Sequence, residues 1–166
     1  MRQLSILAAA IALAACGSEK SGRFETPDGQ KGTFTADTSD GEGSFSIKTQ
    51  DGEFHAQSGA DVKARLPSGF TVYPGAEVVT NTVMKSNQGS NVAVIMSSRD
   101  SKDKVVAFYR KQAEAAGVDI KTEIKSGEMT LISGEASSGL IFSLNTTAGD
   151  DGVTGIQLGF TQPAGG

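Results

Sequence analysis

Cysteine and histidine are almost missing from this chain of 166 residues, which has one of each, Cys16 and His55. A lone cysteine excludes an internal disulfide, so stability in an oxidising compartment has to come from packing. Together the two shortages exclude a His/Cys set able to hold zinc or another transition metal. They leave His55 as the one imidazole base for a Ser-His-Asp arrangement. His55 sits in an alternating segment on the side away from the apolar residues, where an exposed strand histidine is the simpler reading. GxGxxG, Walker A and HExxH patterns are absent. Excess positive charge is missing too: 15 Lys+Arg against 19 Asp+Glu give a formal charge of −4. Nucleic acid selects basic surfaces, so it is not expected as a partner. No apolar run reaches the ~20 residues that a membrane-spanning helix needs.

What is present begins with an address. Arg2 precedes a short apolar stretch, Leu4 to Leu13, which runs into Ala14-Ala15-Cys16. Basic start, short apolar core and small residues read as a secretory signal peptide, residues 1–15. Leu13-Ala14-Ala15-Cys16 resembles the lipobox of bacterial lipoproteins. The resemblance implies cleavage between Ala15 and Cys16, with lipid on the Cys16 thiol and on the new amino group. Each buried methylene contributes ~0.8 kcal/mol, and more than one acyl chain is needed for stable anchoring. Gly17 and Ser18 come next, with no aspartate to suggest inner-membrane retention. The expected location in a Gram-negative cell is the outer membrane, lipid-anchored and facing the periplasm. A plain signal peptide with an incidental cysteine is the alternative. Residues 16–22 then form the lipidated cysteine and a Gly/Ser-type tether. The 151 residues left after cleavage suit one domain, or one domain with a small appendage.

The rest of the chain has two textures. Residues 23–59 are rich in Gly, Asp, Ser and Thr, with Asp28-Gly29, Asp40-Gly41 and Asp51-Gly52 recurring at spacings of 12 and 11. Asp-Gly supplies the positive φ of tight hairpins. The alternating runs between them predict a small Gly-rich β-meander whose dry face carries Phe24, Phe34, Phe45, Ile47 and Phe54. Such a sheet is marginal alone and is expected to lean on the domain C-terminal to it. A disordered low-complexity tether is the rival reading.

Residues 60–66 link to a more apolar domain, 67–162, with a short tail at 163–166. Glu77 to Met84 reads as a strand, and Val92 to Met96 as a strand buried on both faces. Asp100 or Ser101, with Asp103, predicts a capped helix carrying Val105, Phe108, Tyr109 and Ala113, which Gly117 ends. Period-two patterns resume after it. Val118, Ile120, Thr122 and Ile124 share one side, and Asp119, Lys121, Glu123 and Lys125 the other. The expected class is α+β: a mostly antiparallel sheet with one helix on one face (β-β-α-β-β-β-β), preceded by the small meander. The face away from the helix, with Asp119, Lys121, Glu123, Gly155, Gln157 and Gly159, reads as wet or small. It is free to face solvent, receive the meander or dock a partner.

The chemistry is thin. Asp37, Asp40 and Glu42, and Asp150 with Asp151, match no calcium-loop spacing and suit turns. No catalytic, metal or cofactor residue is expected, and an enzyme using carboxylates alone is a third reading behind two binding ones. Tyr73, Phe108 and Tyr109 are the residues expected to contact a ligand or partner, with core packing as the plainer alternative.

Gly69-Phe70-Thr71-Val72-Tyr73-Pro74-Gly75-Ala76, with Asp100-Ser101-Lys102-Asp103-Lys104-Val105-Val106-Ala107-Phe108-Tyr109, resembles a domain of uncharacterised bacterial envelope lipoproteins. The likeness covers about residues 66–160. It implies an envelope setting and no particular reaction. The expectation is a non-enzymatic, lipid-anchored binding or scaffolding module that meets the membrane through its anchor and an envelope protein through its surface. The alternative is a small-ligand carrier or sensor with a cleft between helix and sheet. Cys16→Ala is expected to abolish a triacyl mass shift and release the protein from membranes or leave it unprocessed. Intact mass with membrane fractionation checks this, and normal processing with unchanged retention contradicts it.

Overall fold

A computed structural model describes residues 19–27, 29–38, 42–59, 62–149 and 151–164. The expected cleavage and lipidation site, Ala15 and Cys16, lies outside the described residues, as do Asp28, Asp40, Asp61 and Asp150. The strands are β1 (Glu19–Glu25), β2 (Lys31–Asp37), β3 (Gly43–Thr49), β4 (Gly52–Ser58), β5 (Glu77–Ser86) and β6 (Gly89–Ser98). A helix α1 (Lys102–Ala115) precedes β7 (Val118–Ser126), β8 (Met129–Ala136), β9 (Ile141–Ala148) and β10 (Thr154–Pro163).

All ten strands join one sheet in the order β1-β2-β3-β4-β5-β6-β10-β9-β8-β7. Every neighbouring pair is antiparallel. The first six strands form an unbroken meander. α1 then carries the chain past the positions of β10, β9 and β8 to the far edge, and β7 to β10 return strand by strand. The return ends when β10 pairs with β6 from Thr154↔Ser98 to Pro163↔Gly89. Four antiparallel steps make β6 and β7 parallel, so their link has to be a crossover.

The expected α+β class is therefore corrected. Of the described residues 60% are strand and 10% helix, which makes this an all-sheet-like fold with one short helix. The meander does not precede the sheet as a separate element. β4 pairs with β5 over Gly52↔Ser86 to Ser58↔Thr80, so the Gly-rich strands continue the same sheet. They attach by a backbone ladder along an edge, where the sequence pattern suggested apolar side chains leaning on the next domain. Alternation shows that a strand has a dry face, and it is silent about which neighbour meets its edge.

The core lies between α1, the segment around Phe70 and Tyr73, and one face of β6, β10, β9 and β8. Val94, Met96, Leu158, Leu144, Ile132 and Phe142 face the helix there and are at most 1% exposed. Val105, Tyr109 and Ala113 are the helix's fully buried contribution. Ser101 stands at the helix N-cap with no side-chain capping bond, so the expected capping box is not made. The Asp100 carboxylate is instead taken up by Lys104 Nζ at 2.8 Å and by the Tyr73 hydroxyl at 2.9 Å. Gly117, at φ 78, ends the helix in the left-handed region that favours glycine.

β7 departs from strict alternation. Its register against β8 shifts between Ile120 and Thr122, a bulge that inserts one extra residue. Val118 and Ile120 face the core, but beyond the bulge Glu123 and Lys125 turn to the helix side and Ile124 to the other. Ile124 is accordingly 50% exposed, while Glu123 reaches Arg110 of α1 at 2.8 Å and Lys125 at 3.1 Å. The hydrogen bond from Lys125 and the charge of Arg110 hold the Glu123 carboxyl below the usual carboxylate range. The period-two reading of Val118 to Lys125 therefore fails from Thr122 onward.

Gly134 lies opposite this bulge on β8, where a Cβ would run into the backbone of Asp119 and Ile120. At Gly155 a Cβ would make only ordinary contact, 3.7 Å from the Thr147 carbonyl. Gly134→Ala is expected to cost about 1–3 kcal/mol by overpacking, and Gly155→Ala much less. Paired denaturation midpoints check this, and equal midpoints would remove the bulge constraint.

Candidate functional site

Tyr73, Phe108 and Tyr109 are brought together, inside the protein. The Phe108 ring stands edge-on to Tyr73 and to Tyr109, each at a centroid distance of 5.1 Å. Tyr109 is fully buried, and its oxygen accepts the Tyr73 backbone N–H at 3.0 Å. Its hydroxyl is directed at Met96 Sδ, 3.7 Å away. Burial pushes the Tyr109 hydroxyl up to about 12, so it stays protonated. Tyr73 is also raised, by burial first and then by its bond to Asp100. Lys104, then Tyr73, holds the Asp100 carboxyl below its ordinary value. These polar groups fix the segment ahead of β5 against the helix. The space between helix and sheet is filled by side chains, Tyr109 foremost.

His55 lies on β4 opposite Val83 and Ser46, on the helix-side face of the sheet. Its Nε2 is buried and has no hydrogen-bond partner among the described residues. Among the described residues no three His, Cys, Asp or Glu side chains converge to hold a metal. Asp151 accepts the Val153 backbone N–H at 3.0 Å, the turn role expected of it. Asn81, fully buried on β5, holds the linker. Its Oδ1 accepts the Arg65 N–H at 3.4 Å, and its Nδ2 donates to the Lys63 carbonyl at 3.5 Å.

The notable surface is the sheet face turned away from the helix. Cross-strand partners share a face, so the register gives its members directly. In the meander these are Phe34 and Ala36, Phe45 and Ile47, Phe54 and Ala56, then Thr82 and Met84 on β5. The face continues through Asn91, Ala93 and Ile95 on β6, Gln157, Gly159 and Thr161 on β10, and Ile141, Ser143 and Asn145 on β9. Phe45, Met84, Ile95 and Ile141 are 38–47% exposed. From β2 across to β9, the paired positions of this face hold no Lys, Arg, Asp or Glu except Glu77 at the first residue of β5. Charges appear at the margins: Lys20 on β1, and Glu135 with Asp119 on β8 and β7.

The other face of the same meander is the charged one, with Arg23, Glu25, Lys31, Lys48, Glu53 and Lys85. Dry and wet sides therefore exchange along the sheet. The helix covers apolar residues on one face of β6 to β8, while the meander's apolar residues look out from the opposite face. Near the middle of the outward face, the small residues Gly159, Ala93 and Ser143 form the floor of a depression of ≈260 Å³. Met84 and Ile141 stand at its sides. A Cβ on Gly159 would come within 2.7 Å of Ser143 Oγ, so the floor is as low as a sheet allows.

Sequence alternation marks the meander's apolar residues but does not join them to Met84, Ile95 and Ile141. The signal was available in the second half of each alternation, where uncharged residues occupy the positions that solvent-facing strands usually give to Lys and Glu.

Residues 78–154 are similar to a family described as START domain-like. The stretch runs from β5 to the first residue of β10 and includes α1. It is less than half of the chain. No curated protein and no solved structure matches the chain. The similarity is compatible with a ligand-binding module.

Tyr109→Phe is expected to destabilise the protein by about 1–3 kcal/mol, because the buried Tyr73 N–H loses its acceptor. Tyr73→Phe removes only the bond to the half-buried Asp100 and should cost less. Thermal or urea denaturation of the two variants checks the order.

Proposed function

We propose that this protein is a non-enzymatic binding and scaffolding module of the bacterial envelope, lipid-anchored at Cys16 and facing the periplasm from the outer membrane, with its uncharged sheet face as the binding surface. The observation that carries the reading is that face. Interfaces are distinguished by loss of charge at their centre with charge kept at the rim, and this face has that plan. A sheet needs a second layer on each apolar side, and α1 supplies one for half of one side only. The lipobox-like residues and the Asp100–Tyr109 likeness to envelope lipoproteins support the setting. Cys16 precedes the first residue of β1, an edge strand, by three positions in the sequence.

A second reading, a small-ligand carrier, is favoured by the START domain-like similarity. A cleft between helix and sheet would have to displace Tyr109, Met96 and Phe142, all at most 1% exposed. A ligand fits the outward depression with less rearrangement.

A photo-crosslinking residue at Gln157 or Thr147, on the outward face, is expected to give protein adducts in intact envelopes. The same group at Thr33 or Glu53, on the charged face, is expected to give few. Equal labelling from both faces, or none from either, overturns the reading.

A further inference from the structure

We propose that the partner covering the uncharged face is a second copy of this chain, the two sheets packing face to face about a two-fold axis. The inference rests on the reading of that face as a binding surface and names its occupant.

Three observations select a second copy over other partners. The first is charge. The chain carries −4 overall, so two copies repel each other over most approaches. They can meet without like-charge contact across the stretch from β2 to β9, whose paired outward positions are uncharged apart from Glu77. A basic partner would find no carboxylate there but Glu77, and an anionic membrane surface no lysine or arginine.

The second is area. Seven-residue strands run ~23 Å, and seven strands at ~4.8 Å spacing span ~34 Å, giving roughly 800 Å². That footprint is of the same order as the ~800 Å² of accessible surface that each partner buries in a standard stable interface.

The third is shape. A two-fold interface has to be complementary to itself, so protrusions and hollows must lie on the same patch. Met84 and Ile141 stand beside the depression floored by Gly159, Ala93 and Ser143, so each copy offers both a knob and a hole. Two sheets of the same twist pack aligned at about 30° with their side chains interdigitated, ~10 Å apart. The polar members of the face (Thr82, Asn91, Ser143, Asn145, Gln157 and Thr161) are side chains that can pair with their own kind. Thr161 and Asn91 already bond to each other at 2.8 Å.

The test uses the full-length protein in mild detergent, with two differently tagged copies co-expressed and its mass measured by light scattering. The wild type is expected to be a dimer and to co-purify across tags. Met84→Glu and Ile95→Glu alter exposed side chains and should weaken association at least about tenfold by setting carboxylates against their own copies. Gln157→Lys should do the same with opposite charge, and it guards against a variant that misfolds. Thr33→Glu, on the charged face, should leave the dimer intact, with circular dichroism as the check on folding. A monomeric wild type, or a dimer indifferent to Met84→Glu, Ile95→Glu and Gln157→Lys, overturns the proposal. If adducts to other proteins still form from Gln157 and Thr147, the binding-face reading stands and only its occupant is wrong. If those adducts are missing too, both fail.

Discussion

The ladder between β6 and β10 is the contact on which the rest of this molecule depends. It runs for ten residue pairs, Thr154↔Ser98 to Pro163↔Gly89, and joins strands 55 or more positions apart in the chain. Without it there would be two separate meanders, with α1 packed against β7, β8 and β9 of the second one alone. With it, Val94 and Met96 of β6 join Ile156 and Leu158 of β10 in the core that α1 covers, and Tyr109 of α1 reaches Met96. The helix is thus a consequence of topology as much as of its own periodicity. β6 and β7 run parallel at a distance, and the connection between them has to cross a face.

That crossing leaves most of the sheet bare. One helix of fourteen residues is ~21 Å long and covers a few strands of a ten-stranded sheet. The remaining area is managed in two ways. The meander turns a charged face to the helix side, where the covering layer has run out. Its apolar residues go to the opposite face, where they merge with Met84, Ile95 and Ile141 into an uncharged expanse. A sheet that exchanges its dry side part-way along has one apolar surface satisfied internally and a second left for something else. The binding reading and the proposed second copy both derive from that exchange.

The aromatic residues show how little a motif alone says about a site. Phe108-Tyr109 and Tyr73 do meet, as helix spacing and the Tyr73-Pro74 turn suggest. They meet as a buried joint whose hydroxyls and N–H groups bond each other, Met96 and Asp100. The same residues exposed in a cleft would have left the same trace in the sequence. Burial decides between the two, and burial depends on β9 and β10, which come 30 or more residues later.

The sequence by itself determined which residues alternate, where Gly117 stops the helix, and that the chain is poor in groups able to perform catalysis. Those are local matters, set by side-chain period and backbone conformation. It also supplied the Cys16 expectation, which concerns residues outside those described. Only the tertiary structure decided that the Gly-rich strands extend the main sheet, that α1 spans to a far edge, and that β7 changes faces at Lys121. Hydrogen bonds between strands depend on backbone groups that every residue shares, so a sequence does not mark which edge will meet which. The outward face, for the same reason, exists only once ten strands have been put in order.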